Sequence, residues 1–514
     1  MQEENQTTEE RSLFRLFLAV LGALSLIRVL IAAGIPLLHA ECYYWLWSQR
    51  LSFGYFDHPP MIAYLIRLFT AVGGDSPLCV RLGPVVLAIA GSLIIYSWTA
   101  ELYGARSAFL VSLCFMLSPM IMAFSVVATP DVPLIFFWIL ASYSFYRAVT
   151  IGKPCWWYLC GFSTGLCLMS KLNGFLLYPC FLVFLLWDRR ARSWLARKEL
   201  WIAVLVSFVV DMPNLLWNAT HHWETFTYLV TERPHAGGFS VVKTGKYLGC
   251  LLGLLSPVLG VYVLWMLIRN LLCAEARADR RCVFLLSMSI PVLIWFGLWS
   301  PFTSIAIHWP ATALICAIIL AVGSGTWESG PRCRLILARG RLFAAALVTL
   351  AALDLPFVLG LPALKWVYPV FSPTRDFEEA TGLLARAYRE LNGWDGLGLS
   401  VTERLGKLGG ATSQPPFVLT KFHRLLPRIE FMAGRPIPFT VTESSSVKRL
   451  RPWIDENLLR GRNGLFVDVE DKLPRDVADM FQRCEREPPL VVQKNGRVLR
   501  RIYFFKCIGF RGRS

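Results

Sequence analysis

Over most of this chain apolar positions do not alternate with polar ones; they run on uninterrupted. Stretches near twenty residues recur, each long enough as a helix to cross roughly 30 Å of hydrocarbon. They fall at about 13–35, 78–99, 106–126, 131–149, 156–170, 172–187, 200–217, 247–268, 283–299, 305–322 and 342–361. The pattern predicts a polytopic α-helical membrane protein with about 11 transmembrane helices. The two short runs beside "SKLNG" (170–174) are expected to be tilted or partly re-entrant. The first run, Leu13 to Ile35, exceeds a cleaved signal peptide's apolar core and has no clear small-residue cleavage site, so we expect a retained span.

After about residue 362 no run long enough to span remains and charged residues become frequent. We therefore divide the chain into a membrane domain, 1–362, and a soluble C-terminal α/β domain, 363–514. "TRDFEEATGLLARAYREL" (374–391) has the acidic start, basic end and apolar spacing of an amphipathic helix. "PFVLT" (416–420), "IPFTV" (437–441) and "GLFVDV" (464–469) predict short strands, and "PLVVQKNGRVLRRIYFF" (489–505) a hairpin turning at Asn495-Gly496. Strands separated by helical stretches suggest an α/β arrangement, and no phosphate-binding glycine fingerprint precedes a helix here.

Composition agrees: 55% of the 514 residues are hydrophobic, only 17% are charged, and the mean hydropathy is +0.49. Soluble domains hold about a quarter charged residues. A net charge of +17 would suit nucleic acid, but its placement does not. With the N-terminus cytoplasmic, the basic stretches "DRRARSWLARK" (188–198), "RNLLCAEARADRR" (269–281) and "GPRCRLILARGR" (330–341) lie inside. The alternate loops around "ATPD" (128–131) and "SPFTS" (300–304) carry no Lys or Arg, as positive-inside topology requires. An odd number of spans sends the C-terminal domain out of the cytoplasm, from the cell's inner (plasma) membrane. The 14 cysteines offer no zinc spacing; a Cys484–Cys507 bridge is open on the outer side.

The first outer loop, 36–77, holds "HAECYYWLWSQRLSFGYFDHPPMIAYLI" (39–66), with Glu41, Asp57, His39 and His58 beside the membrane. Asp131 begins a span at its outer end, and Asp211, Glu224 and Glu232 lie near the same face. Ionisable groups near hydrocarbon cost several kcal/mol unless paired or wetted, so they are functional candidates. Together they predict a water-accessible cavity at the outer leaflet. "YYWLW" (43–47) reads as an interfacial helix, and "FDHPP" (56–60) as a fixed turn carrying an Asp-His pair.

The order "AECYYWLWSQRLSFGYFDHPPM", "ATPDVPLIFFW" (128–138), "SKLNGFLLYP" (170–179), "MPNLLWNATHHW" (212–223) and "HWPA" (308–311) resembles bacterial glycosyltransferase family 39. That family is similar to the dolichyl-phosphate-mannose protein mannosyltransferases and, more distantly, to the aminoarabinose lipid A transferases. The resemblance implies a GT-C fold. It also implies transfer of one sugar, with inversion, from a polyprenyl-phosphate carrier to an extracytoplasmic lipid A, glycan or protein. Partners would be that donor, membrane lipids and the acceptor, with no nucleic acid. Members commonly open the first motif with Asp-Glu; here the positions are Ala40-Glu41.

A carboxylate must take the acceptor hydroxyl's proton, and the candidates, in order, are Glu41, Asp131 and Asp57. The leaving phosphate needs cations or hydrogen-bond donors. His58 resembles a basic residue serving this role in the lipid A enzymes, and Lys171 and Arg81 are further candidates. Tyr43, Tyr44, Tyr55, His222 and His308 are candidates for lining the donor or acceptor pocket. No metal spacing is present, but a divalent metal ion on Glu41 and Asp57 stays open, since relatives bind one. A lipid-linked sugar transporter or flippase is the alternative; such proteins often show internal repeats, and none is visible here.

Overall fold

The first apolar run forms α1 (Gln2–Gly34), apolar enough from Thr7 onward to cross a membrane. The structure, a computed structural model, describes residues 2–228, 238–327, 390–409, 414–421, 423–442, 444–494 and 497–512. The run at 342–361, the loop at 330–341, Glu232, the Asn495-Gly496 turn and all but the last two residues of the helix read at 374–391 lie outside the described residues. Next come α2 (His39–Gln49), α3 (Met61–Gly73), α4 (Pro77–Tyr103), α5 (Ala105–Met116), α6 (Pro119–Phe124), α7 (Asp131–Ile151) and α8 (Pro154–Ser170). They are followed by α9 (Leu177–Trp187), α10 (Lys198–Thr220), α11 (Glu224–Thr227), α12 (Val241–Leu255), α13 (Pro257–Leu272), α14 (Ala274–Ala278), α15 (Arg280–Trp299) and α16 (Ala311–Trp327).

Among the described residues, α1, α4, α7, α10 and α15 are long and apolar enough to span alone. The pair α12–α13 makes a sixth if counted as one broken span, since the two helices meet at 109°. The chain is thus a polytopic helical membrane protein with fewer full-length spans than apolar runs. Local chemistry explains the differences. The run 106–126 breaks where Ser118 caps α6, its Oγ accepting the Ile121 N–H, with Pro119 opening the new helix. The run 247–268 breaks at Ser256, which has φ +81° and caps α13 through the Leu259 N–H. The helices of the 156–170 and 172–187 runs, α8 and α9, have 17 and 11 residues.

The chain forms two compact units, one of residues 1–32, 52–65 and 81–358, the other of 33–51, 66–80 and 359–514. In the first, α8 packs between α7 and α10. A β-carbon on Gly161 would stand 2.2 Å from the Ala203 carbonyl oxygen, and one on Gly165 2.6 Å from that of Ser207. Small residues four apart on both helices thus let the backbones touch, as membrane helices without a hydrophobic drive between them require.

In the second unit a five-stranded sheet has the order β2-β1-β3-β5-β4. Its strands are β1 (Phe417–Thr420), β2 (Phe439–Val441), β3 (Gly464–Asp468), β4 (Phe481–Lys494) and β5 (Arg497–Phe510). β1 runs parallel to β2 and β3, and β5 antiparallel to β3 and β4. Every residue of β1 and β3 is buried, matching their largely apolar sequence, which ends at Thr420 and Asp468. The hairpin arms extend beyond 489–505 because β4 is an edge strand: Pro488 and Pro489 sit in a register irregularity there without breaking an interior ladder. Cys484 and Cys507 face each other across β4 and β5 and are disulfide-bonded. Helices α17 (Leu397–Gly409) and α18 (Leu425–Ala433) flank the sheet, and α18 packs on α2, with Phe431 edge-on to Trp45.

Gly161→Ala should therefore destabilise the protein by about 1–3 kcal/mol through overpacking. Gly249→Ala, which meets no atom within 4 Å in α12, should be neutral or stabilising by up to ~1 kcal/mol through helix propensity. Thermal unfolding of both variants in detergent measures the opposite signs.

Candidate active site

Asp131 is the first residue of α7, where a carboxylate meets the positive end of the helix dipole. Lys171 ends α8 in extended conformation and leads into a 3₁₀ turn at Leu172–Leu176. That turn needs Gly174, since a β-carbon there would stand 2.7 Å from the Cys167 carbonyl carbon. "ATPD" and "SKLNG" thus bring the Lys171 Nζ to 2.7 Å from Asp131 Oδ1, both side chains only 7% exposed. His308, from "HWPA", stands with Nε2 3.6 Å from Asp131 Oδ2 and its ring edge-on to Phe124. Three distant motifs converge on one carboxylate. Pairing offsets the cost of burying these charges, and removing one partner of such a pair costs 3–5 kcal/mol.

The loop bearing Asp57 and His58 lies in the same unit and is braced from two sides. The Tyr55 hydroxyl accepts the Ser52 N–H at 3.0 Å, and Tyr64 donates to the Ser52 carbonyl at 2.8 Å. Burial pushes the Tyr55 hydroxyl well above its usual pKa, keeping it neutral. Thr225, in α11, donates to the Tyr55 carbonyl at 2.9 Å, and only glycine fits at 54, where a β-carbon would stand 2.6 Å from the Trp217 ring. The first-loop motif thus packs on the region of "MPNLLWNATHHW". Asp57 is buried and His58 half-buried. His222 is exposed in a turn with φ +54°. Arg81 is buried and donates to the Ala32 carbonyl at 3.1 Å, a link from α4 to α1. Asp211 is buried in α10 and accepts from Asn214 at 3.1 Å.

Glu41 belongs to the second unit. It is fully buried in the first turn of α2, with Oε2 accepting the Leu38 N–H at 2.9 Å. Groups from the far end of the chain hold this helix start. Glu390 Oε1 accepts the His39 N–H at 3.2 Å and meets the His39 ring. Burial alone would raise the Glu390 pKa, but these contacts hold it below the usual carboxylate value. Arg428 donates to the Glu390 carbonyl at 2.8 Å and the Leu37 carbonyl at 3.2 Å. Tyr43 packs on Trp47 and His423, and Tyr44 on Trp47.

Among the described residues no three His, Cys, Asp or Glu side chains gather as metal ligands. Sequence reasoning passed over Arg28, fully buried in α1, whose Nη2 donates to the Met116 carbonyl at 3.1 Å and so caps the end of α5. An arginine inside an apolar run was the available signal. It also passed over Glu390 and Arg428, for which local sequence offers none.

Residues 57–217 match the family described as dolichyl-phosphate-mannose-protein mannosyltransferase. The lipid A galacturonosyltransferase RgtD of Rhizobium johnstonii is 27% identical over 285 residues, 55% of this chain and 59% of that protein. The chain is thus matched over about three fifths of that curated relative's length. ArnT from Cupriavidus metallidurans in the apo state superposes with a TM-score of 0.62 at 16% identity, covering 95% of this chain and 97% of that one. Its structure bound to undecaprenyl phosphate gives 0.62 at 15% identity, covering 96% and 97%. At these identities the likeness is one of fold: a helical membrane region followed by a C-terminal domain built on a mixed sheet. The matched segment, residues 57–217, holds Asp57, Asp131 and Lys171 and is similar to the dolichyl-phosphate-mannose-protein mannosyltransferase family.

Proposed function

We propose that this protein is an integral membrane glycosyltransferase moving a sugar from a polyprenyl-phosphate carrier to an extracytoplasmic acceptor, with inversion. Lipid A is the acceptor we favour over another glycan or a protein. The observation that carries this reading is the buried Lys171–Asp131 pair, within the segment that matches this family, with His308 beside it. Two relatives support the substrates: one is named a lipid A galacturonosyltransferase, and the other was crystallised with undecaprenyl phosphate.

In the proposed reaction an acceptor hydroxyl oxygen attacks the anomeric carbon and gives its proton to a carboxylate. The bond from that carbon to the phosphate oxygen breaks, and its electron pair leaves with the polyprenyl phosphate. Lys171, with His58 and Arg81, answers the charge growing on that phosphate. Both Asp131 oxygens face nitrogen-bearing groups, an arrangement suited to holding Lys171 in place. The base is then Glu41 first and Asp57 second. In this reading the chain is a GT-C protein of about 11 spans, with the shorter apolar helices α5, α8, α9 and α16 crossing in tilted or paired form. The 363–514 domain faces the extracytoplasmic side, where a Cys484–Cys507 disulfide persists.

One observation favours transport instead: the 109° break between α12 and α13, since transporters build sites from broken helices. Purified protein supplied with radiolabelled polyprenyl-phosphate sugars and lipid A-bearing membranes separates the two. Label in a new glycosidic product supports transfer, whereas label crossing sealed vesicles with no product overturns it.

Asp131→Asn and Lys171→Met should each cut transfer by about 100-fold or more. The double variant should lose no more than the worse single, because the two act as one unit. Breaking the pair should cost about 3–5 kcal/mol, much of it recovered when both partners are replaced. Additive losses in activity and stability would refute this coupling. Glu41→Gln keeps an acceptor for the Leu38 N–H, so it should unfold near the wild-type temperature yet lose about 10²–10⁴-fold in kcat. Unchanged turnover would remove Glu41 as the base.

A further inference from the structure

We propose that a cavity within the second unit binds an anionic amphiphile, a phosphate or carboxylate joined to an apolar body, with Arg428 receiving the charge. The cavity has a volume of about 550 Å³, within the range of small-molecule sites. Its walls are largely apolar and include Ile35, Pro36, Phe431, Met432 and Leu499. The one Lys or Arg among its described lining residues is Arg428, 3% exposed.

Three features select the ligand's chemistry. The first is the state of Arg428. A guanidinium carries five N–H donors; the contacts of Arg428 are two neutral carbonyls, those of Glu390 and Leu37, and the face of Trp394 at 4.5 Å. Among the described residues no carboxylate oxygen pairs with it: Glu390 is engaged by His39, Glu41 accepts the Leu38 amide, both act on Arg428 through their fields, and Asp395 on the lining is exposed. Burial disfavours its charged form, so an incoming anion would relieve an under-compensated cation. The second is Arg500, whose guanidinium lies 3.7 Å from the same Trp394 ring, so two cations flank one indole. The third is the floor. Residues 33–36 line the cavity, and in sequence they continue directly from the apolar stretch of α1, which ends at Gly34. A soluble anion would have no use for the apolar walls, and a neutral lipid none for Arg428.

This deepens the proposed function, on which it rests for the ligand's identity, by giving a phosphorylated acceptor lipid a second point of attachment. The test titrates the purified full chain in neutral detergent, by calorimetry, with dihexanoyl phosphatidic acid, dihexanoyl phosphatidylcholine and inorganic phosphate. Phosphatidic acid should bind saturably. Arg428→Gln should weaken it by at least tenfold, Arg428→Lys by less, and Leu499→Trp, which fills the cavity but keeps the cation, should abolish it; Leu499→Trp also stands in should Arg428→Gln fail to fold. Equal binding by wild type and Leu499→Trp, or phosphatidylcholine binding as tightly as phosphatidic acid, would overturn the proposal. Inorganic phosphate binding as tightly would overturn its amphiphile part. Sugar transfer measured in parallel keeps the two ideas apart. Binding without any transfer activity in the wild type sinks the enzyme reading alone, and transfer without phosphatidic acid binding sinks the cavity alone.

Discussion

A lysine and an aspartate buried 2.7 Å apart constrain how the helices of the first unit meet. Neither charge is tolerable alone so far from water, so the end of α8 and the start of α7 must come together. The local backbone follows from that demand. Lys171 leaves the helix in extended form, the 3₁₀ turn after it passes close enough to Cys167 to need glycine at 174, and α8 lies against α10 on its own glycines. Asp131 at the first position of α7 adds the helix dipole to the ammonium as a second stabilising field.

The second unit meets a different demand. The start of α2 must be held although its own sequence offers little capping: Leu38, at the cap position, has no side-chain acceptor. Glu41 reaches back to the Leu38 amide, Glu390 takes the His39 amide, and Arg428 closes on the Leu37 carbonyl. Two of these three groups come from 351 and 391 positions later in the chain, and α18, which carries Arg428, packs on α2 through Phe431 and Trp45. Whatever Glu41 does depends on a helix terminus fixed by the C-terminal part of the chain.

This dependence marks the limit of what the sequence made legible. The membrane class, the change of composition near residue 362 and the strands β1 to β3 followed from runs and periodicity, and motif order singled out "ATPD", "SKLNG" and "HWPA" without pairing them. Those signals are local or carried by whole motifs. The helix breaks at Ser118 and Ser256 were not read, although each is a serine before proline, because an apolar run hides a cap that occupies a single residue. Arg28 was hidden in the same way, a charge satisfied by the Met116 carbonyl 88 positions away. The roles of Glu390 and Arg428 had no local trace, since a clamp between distant segments leaves no periodicity behind.

Lys171 and Arg428 show how two buried cations can be prepared for different work. Lys171 already has its counter-charge, so a phosphate approaching it competes with Asp131 for the same ammonium and gains only the difference between two anionic partners. That suits a leaving group, which must be stabilised as its charge grows and then released. Arg428 faces carbonyls and an aromatic ring, none carrying a full negative charge, so an anion reaching it adds an interaction and displaces none of comparable strength. That suits a group to be held through the reaction. A guanidinium's planar fork also keeps its carbonyl contacts while offering further N–H groups, which an ammonium in the same place would do with less fixed geometry.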